Sequence, residues 1–154
     1  MAEEERVLRA AQVAVDEGLA RPILIGRPSV VEMRIRRAGL RLAAGRDFEL
    51  VDPENDSRFR EYWEALHKLR ARDGVTPEMA KAALRRSHTI TGAMLVRRGD
   101  ADAMVCGLVG RFDAHLENIA SILGLAPGAR QFAAMNAIVL DKHTLFVADT
   151  FVND

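Results

Sequence analysis

In this 154-residue chain, three short runs set polar or basic residues beside glycine or at the end of an apolar stretch. Gly26-Arg27 precedes Pro28, Gly107-Leu108-Val109-Gly110-Arg111 precedes Phe112, and Asp149-Thr150 follows Ala148. A helix that begins just after such a run offers free backbone N–H groups. An arginine beside it adds a planar fork of donors matched to phosphate or carboxylate. Arg27 and Arg111 therefore read as donors to an anion. His115 lies one helical turn after Arg111, on the same side of a helix if one forms there. The plainer alternative stays open at each run: glycines that serve turn geometry and arginines that face solvent. A phosphate is not expected at the first helix, because Glu3, Glu4 and Glu5 would repel it.

The other reactive side chains point to less. Cys106 reads as a small hydrophobe at a strand end. His67, His88, His115 and His143 have no metal-ligand spacing, and neither HExxH nor CxxC occurs. Asp100-Ala101-Asp102 is a weak metal signal, and Tyr62 and Trp63 read as packing groups. There is no GxGxxG, Walker-A or GxSxG motif, so a dinucleotide, a nucleoside triphosphate or hydrolase chemistry has no support.

Apolar periodicity and punctuation predict the elements that must position these groups. Helices are expected over 3–19, 28–37, 57–72, from Pro77 onward, 89–98 and 112–123. Strands are expected over 23–25, 48–51, 103–106, 132–140 and 144–148, the last two as a hairpin around Asp141-Lys142-His143. Strands alternating with helices imply an α/β fold, a three-layer sandwich with a mostly parallel sheet and helices on both faces. The antiparallel hairpin near the C-terminus is the exception. In such sheets ligands collect beyond the carboxyl ends of the parallel strands, where the glycine-arginine runs fall.

Composition narrows the setting. Lys plus Arg and Asp plus Glu are both 22, so no bulk field draws the chain to nucleic acid or a membrane surface. One cysteine excludes an internal disulfide and suits a reducing cytoplasm. The longest apolar runs are too short to span a bilayer, and the acidic start is unlike a secretory signal. A soluble, cytoplasmic, single domain is the expectation.

Several runs carry a family resemblance. They are Glu5-Arg6-Val7-Leu8-Arg9-Ala10-Ala11, Gly18-Leu19-Ala20-Arg21-Pro22-Ile23-Leu24-Ile25-Gly26-Arg27-Pro28, Gly92-Ala93-Met94-Leu95-Val96-Arg97-Arg98-Gly99-Asp100-Ala101-Asp102-Ala103-Met104 and Phe146-Val147-Ala148-Asp149-Thr150-Phe151-Val152-Asn153. The chain resembles the phosphate acetyltransferase/butyryltransferase family, and more closely the version of that domain carried by bacterial NADP-dependent malic enzymes. Tyr62-Trp63 and Arg97-Arg98-Gly99-Asp100 resemble the malic-enzyme version in particular.

The resemblance implies that 1–154 is one phosphotransacetylase-like domain in part. The family's strand before residue 3 and the C-terminal half after 154 are absent. The Ser, Arg and Asp credited with acyl transfer lie in that absent half, so no catalytic residue is expected here. Acyltransferases of this kind carry Ser-Gly and then a Thr-Ala-Asp run, where this chain has Cys106-Gly107 and Gly110-Arg111-Phe112-Asp113-Ala114-His115. By resemblance the domain is a regulatory, non-catalytic sensor of acetyl-CoA. Arg111, His115, Asp149, Thr150, Gly107, Gly110 and Arg27 are expected to line its site. The implied partners are acetyl-CoA, an upstream malic-enzyme catalytic domain and further copies in a homo-oligomer. No cofactor is expected in this chain; NADP and Mg or Mn would belong to the parent enzyme, which converts malate to pyruvate. The alternatives are a phosphate acyltransferase exchanging acyl groups between CoA and phosphate, and a subunit-assembly module without ligand.

Overall fold

Strand alternation sorts the helices into layers. In the computed structural model, which describes residues 4–150 and 152–153, β1 (Ile23–Ile25) pairs in parallel with β2 (Glu49–Val51) across α2 (Pro28–Arg37). The register is Ile23 to Glu49, Leu24 to Leu50 and Ile25 to Val51. Successive side chains point to opposite faces. Leu24 and Leu50 thus join Leu8, Val31, Ile35 and Phe48, the core shared with α1 (Glu5–Asp16) and α2. Ile23, Ile25 and Val51 join the opposite core. That core is built by α3 (Phe59–Arg70), α4 (Pro77–Arg86), α5 (His88–Arg98) and α6 (Phe112–Leu123). Helices therefore cover both faces of the parallel pair, as the alternation predicts.

The helix α5 is the centre of the second core. Residues 89–95 are all buried. Its two buried threonines have partners: Thr91 Oγ1 donates to the Leu84 carbonyl at 2.9 Å, and Thr89 Oγ1 lies 2.8 Å from His115 Nδ1. Gly92 has a packing reason to be in a helix. A Cβ there would meet Met104 Cε at 3.3 Å and Ile25 Cδ1 at 3.6 Å, so glycine lets β1 approach the helix backbone. Ser87 caps α5 by accepting from the Ile90 N–H at 3.3 Å, as Thr76 caps α4 from Met79 at 3.2 Å. Beside α5 runs α6, pointing the same way, since Thr89 meets His115 at one end and Arg97 Nη1 donates to the Ile122 carbonyl at 2.6 Å at the other. That arginine satisfies a carbonyl that a helix end leaves open.

Packing divides at Leu123. From Gly124 onward a second compact unit holds the hairpin of β3 (Met135–Val139) and β4 (Thr144–Ala148), in register from Met135–Ala148 to Val139–Thr144. Every residue of both strands is exposed.

The structure trims several expectations. The first helix begins at Glu5; Glu3 lies outside the described residues, as do Phe151 and Asp154. The third helix tightens after Arg70 into a 3-10 turn, Ala71–Asp73. The strand expected over 103–106 is irregular instead: among the described residues β1 hydrogen-bonds only to β2, so this segment has no ladder to join. Val105 is 97% exposed there, and Cys106 is half-buried. Among the described residues no helix is long and apolar enough to cross a membrane.

Candidate functional site

Two adjoining cavities meet at His88, the first residue of α5. One, of about 290 Å³, is lined by Glu4, Arg86, Ser87, His88, Thr89, Val109 and His115. The other, of about 300 Å³, is lined by Arg27, Asp52, Pro53, Glu54, Arg85 and His88. Arg27 lies just past β1 and Asp52 just past β2, so the second cavity sits at the carboxyl ends of the parallel strands. Its walls mix guanidinium groups with carboxylates. A ligand carrying both anionic groups and hydrogen-bond donors suits that mixture better than a bare anion. Arg85 is held in place by stacking over the Phe59 ring, 4.8 Å from its centre.

His115 closes one side of the first cavity. Its Nδ1 lies 2.8 Å from Thr89 Oγ1, and its Nε2 lies 2.8 Å from the Val109 carbonyl. A carbonyl can only accept, so Nε2 carries a proton; in the tautomer protonated at Nε2 alone, Nδ1 accepts from the Thr89 hydroxyl. The ring lies against Gly110, whose φ is +107°, and a Cβ there would stand 2.8 Å from Nε2.

Arg111 is engaged locally. Its guanidinium grips Asp113 with Nε to Oδ1 at 3.0 Å and Nη2 to Oδ2, and its side chain is 82% exposed. Asp113 Oδ1 also accepts from the Ala114 N–H at 2.9 Å, at the start of α6. The hydrogen bonds from Arg111 hold the Asp113 carboxyl below the usual carboxylate range, and the same pairing raises Arg111. Burial pushes the Cys106 thiol up.

Of the residues singled out from the sequence, the structure brings His115 and Gly110 into contact and places Arg27 on the adjoining cavity. Gly107 is an exposed turn residue at φ +98°. Asp149 and Thr150 belong to the second unit, where they tie the open end of the hairpin. The Asp149 carboxylate accepts from Asn153 Nδ2 at 2.7 Å, and Thr150 Oγ1 accepts from Asn136 Nδ2 at 3.1 Å. Arg85, Arg86, Ser87 and His88 were not expected at a site. The signal was Ser87 as a cap three residues before Ile90, which a start at Thr89 passes over. Nor is Tyr62 only a packing group: its hydroxyl donates to Asp100 Oδ2 at 2.8 Å. Among the described residues no three His, Cys, Asp or Glu converge on a point that could hold a metal ion.

The fold accords with what the chain is related to. Residues 1–154 match the family described as phosphate acetyl/butaryl transferase, and the chain belongs to that family. It is 49% identical over 152 residues to the NADP-dependent malic enzyme of Escherichia coli, covering 99% of this chain and 20% of that protein. It is 31% identical over 150 residues to the phosphate acetyltransferase of Nitratidesulfovibrio vulgaris, covering 97% of this chain and 21% of that one. The EutD phosphotransacetylase from Staphylococcus aureus superposes with a TM-score of 0.81 at 25% identity, over 99% of this chain and 44% of its own. The chain thus spans about a fifth of the length of the malic enzymes it matches, in their phosphotransacetylase-like region.

Proposed function

We propose that this chain is the acetyl-CoA-binding, regulatory part of a malic enzyme, itself without catalytic residues. The observation that carries the reading is the gap in identity: 49% to a malic enzyme against 31% to a phosphate acetyltransferase over nearly the same residues. The altered run from Gly110 to His115 supports it. Where an acyltransferase of this family carries hydroxyl groups, this chain has an arginine paired to an aspartate and a histidine with both ring nitrogens engaged. The adenine-linked phosphates of acetyl-CoA would meet Arg27 and Arg111, and His115 would border the ligand. Binding to one state of the assembly more tightly than to the other would shift its population and so regulate a distant catalytic domain.

Among the described residues, neither NADP nor a divalent metal, which malate oxidation in such an enzyme requires, finds a fitting site. The turn after β1 has one glycine followed by Arg27 and Pro28, without the GxGxxG spacing of a dinucleotide-binding turn. No metal-ligand cluster occurs among the described residues. Both groups would be held outside it.

Calorimetric titration of the chain with acetyl-CoA tests the reading. Saturable heat that Arg111→Ala weakens about tenfold supports it; the absence of any heat refutes it and favours an assembly role. The family match also favours a second reading, acyl transfer between CoA and phosphate. Formation of acetyl-CoA from acetyl phosphate and CoA by the protein that carries this chain would establish that one instead.

A further inference from the structure

The loop over residues 107–111 has every reason to move. All five residues are exposed, and Gly107 and Gly110 both adopt left-handed conformations. Arg111 pairs with Asp113 at the loop's end, and one side chain ties its middle to the central helix. His115 reaches back from α6 and binds two elements at once, the Val109 carbonyl in the loop and Thr89 in α5. The Thr89 end is fixed, because that residue is 3% exposed within the central helix. The ring can lie there only because Gly110 has no Cβ.

We infer that His115 is a positioning residue, a latch that holds the loop over 107–111 against the N-terminal end of α5 and so builds one wall of the 290 Å³ cavity. This goes beyond the proposed function and does not depend on which ligand the cavity takes. With both nitrogens committed, the imidazole is not an open ligand or base. A group entering the cavity that hydrogen-bonds to Nδ1 or to the Thr89 hydroxyl must break one end of the latch. Cavity occupancy and the loop that carries Arg111 are thereby coupled.

Ring nitrogen NMR of the intact chain at about pH 8, where an ordinary imidazole is neutral, tests the tautomer. A protonated Nε2 with an acceptor Nδ1 is expected for His115; rapid averaging between tautomers, or a protonated Nδ1, overturns the latch. Backbone nitrogen relaxation then tests the tether in His115→Phe, which keeps an aromatic ring and removes both hydrogen bonds. Order parameters of the exposed residues 108–111 should fall below about 0.6, the range of flexible backbone, while β3 and β4 stay unchanged. Unchanged order parameters in the loop would overturn the inference. Should that variant fail to fold, Thr89→Val, which removes only the hydroxyl end, gives the same reading. Acetyl-CoA titration is a separate measurement, so a latch that holds in a chain that binds no acetyl-CoA leaves this inference standing and removes the functional one.

Discussion

Gly107 and Gly110 form a matched pair for measuring what the latch is worth. Both have positive φ, +98° and +107°, so alanine at either position suffers backbone strain of about 1–2 kcal/mol. Only Gly110 has a neighbour. Its added Cβ would fall 2.8 Å from His115 Nε2, whereas a Cβ on Gly107 meets nothing within 4 Å. The ring must therefore move in Gly110→Ala, losing its bond to the Val109 carbonyl and misaligning the one to Thr89. At about 0.5–1.5 kcal/mol for each hydrogen bond, Gly110→Ala should cost about 1–3 kcal/mol more than Gly107→Ala. The excess has a ceiling, because the chain can always relieve the clash by releasing the loop locally. Urea denaturation followed by Trp63, the only tryptophan, reads the first unit. In a His115→Ala background the excess should vanish. Equal midpoint shifts for the two alanine variants, or an excess that persists without His115, would refute the reasoning.

Phe48 is 0% exposed between the parallel strands and the helices α1 and α2, so Phe48→Ala should cost about 3–5 kcal/mol, seen as a large fall in melting temperature. Tyr62→Phe removes the hydroxyl that donates to Asp100. Because Asp100 is exposed and regains water, the loss should be about 0.5–1.5 kcal/mol, and Asp100→Ala should add little on top of it in a double-mutant cycle. Hydrogen bonds from Arg58 hold the Asp56 carboxyl below its ordinary value. A depressed folded-state value means stability that is complete above the ordinary carboxylate range and is lost as pH falls through the folded value. Denaturation midpoints should therefore drop below about pH 4, with a shallower decline in Asp56→Asn.

Local signals carried most of the fold. Ile23–Ile25 sits between Pro22 and Gly26, and α2 runs from Pro28 to a stop at Gly39, so both elements are bounded by residues that state their own geometry. The helix over 112–123 and the strand over 144–148 were legible for the same reason. The segment 103–106 was not. Its apolar run looks like a strand, but a strand exists only with a hydrogen-bonding neighbour, and that is not written locally. The site divides in the same way. Helical spacing set His115 one turn from Arg111, yet the partner that gives His115 its task, Thr89, lies 26 residues away in the sequence. Tyr62 and Asp100 are separated by 38. Contacts of that range come from packing α3, α5 and α6 together, which no window of residues displays.

The burial of α5 on every side has a mechanical consequence. A helix of 11 residues is about 16 Å long, and this one has no solvated flank over 89–95 where a small displacement could be absorbed by side chains. Its first residue borders both cavities; just past its last, Asp100 is gripped by Tyr62, while Arg97 holds the end of α6. Such a rod shifts as a piece or stays where it is. A push at His88 arrives undiminished at the far end, where the Tyr62–Asp100 hydrogen bond, lengthened or kept, registers whether the helix has slid.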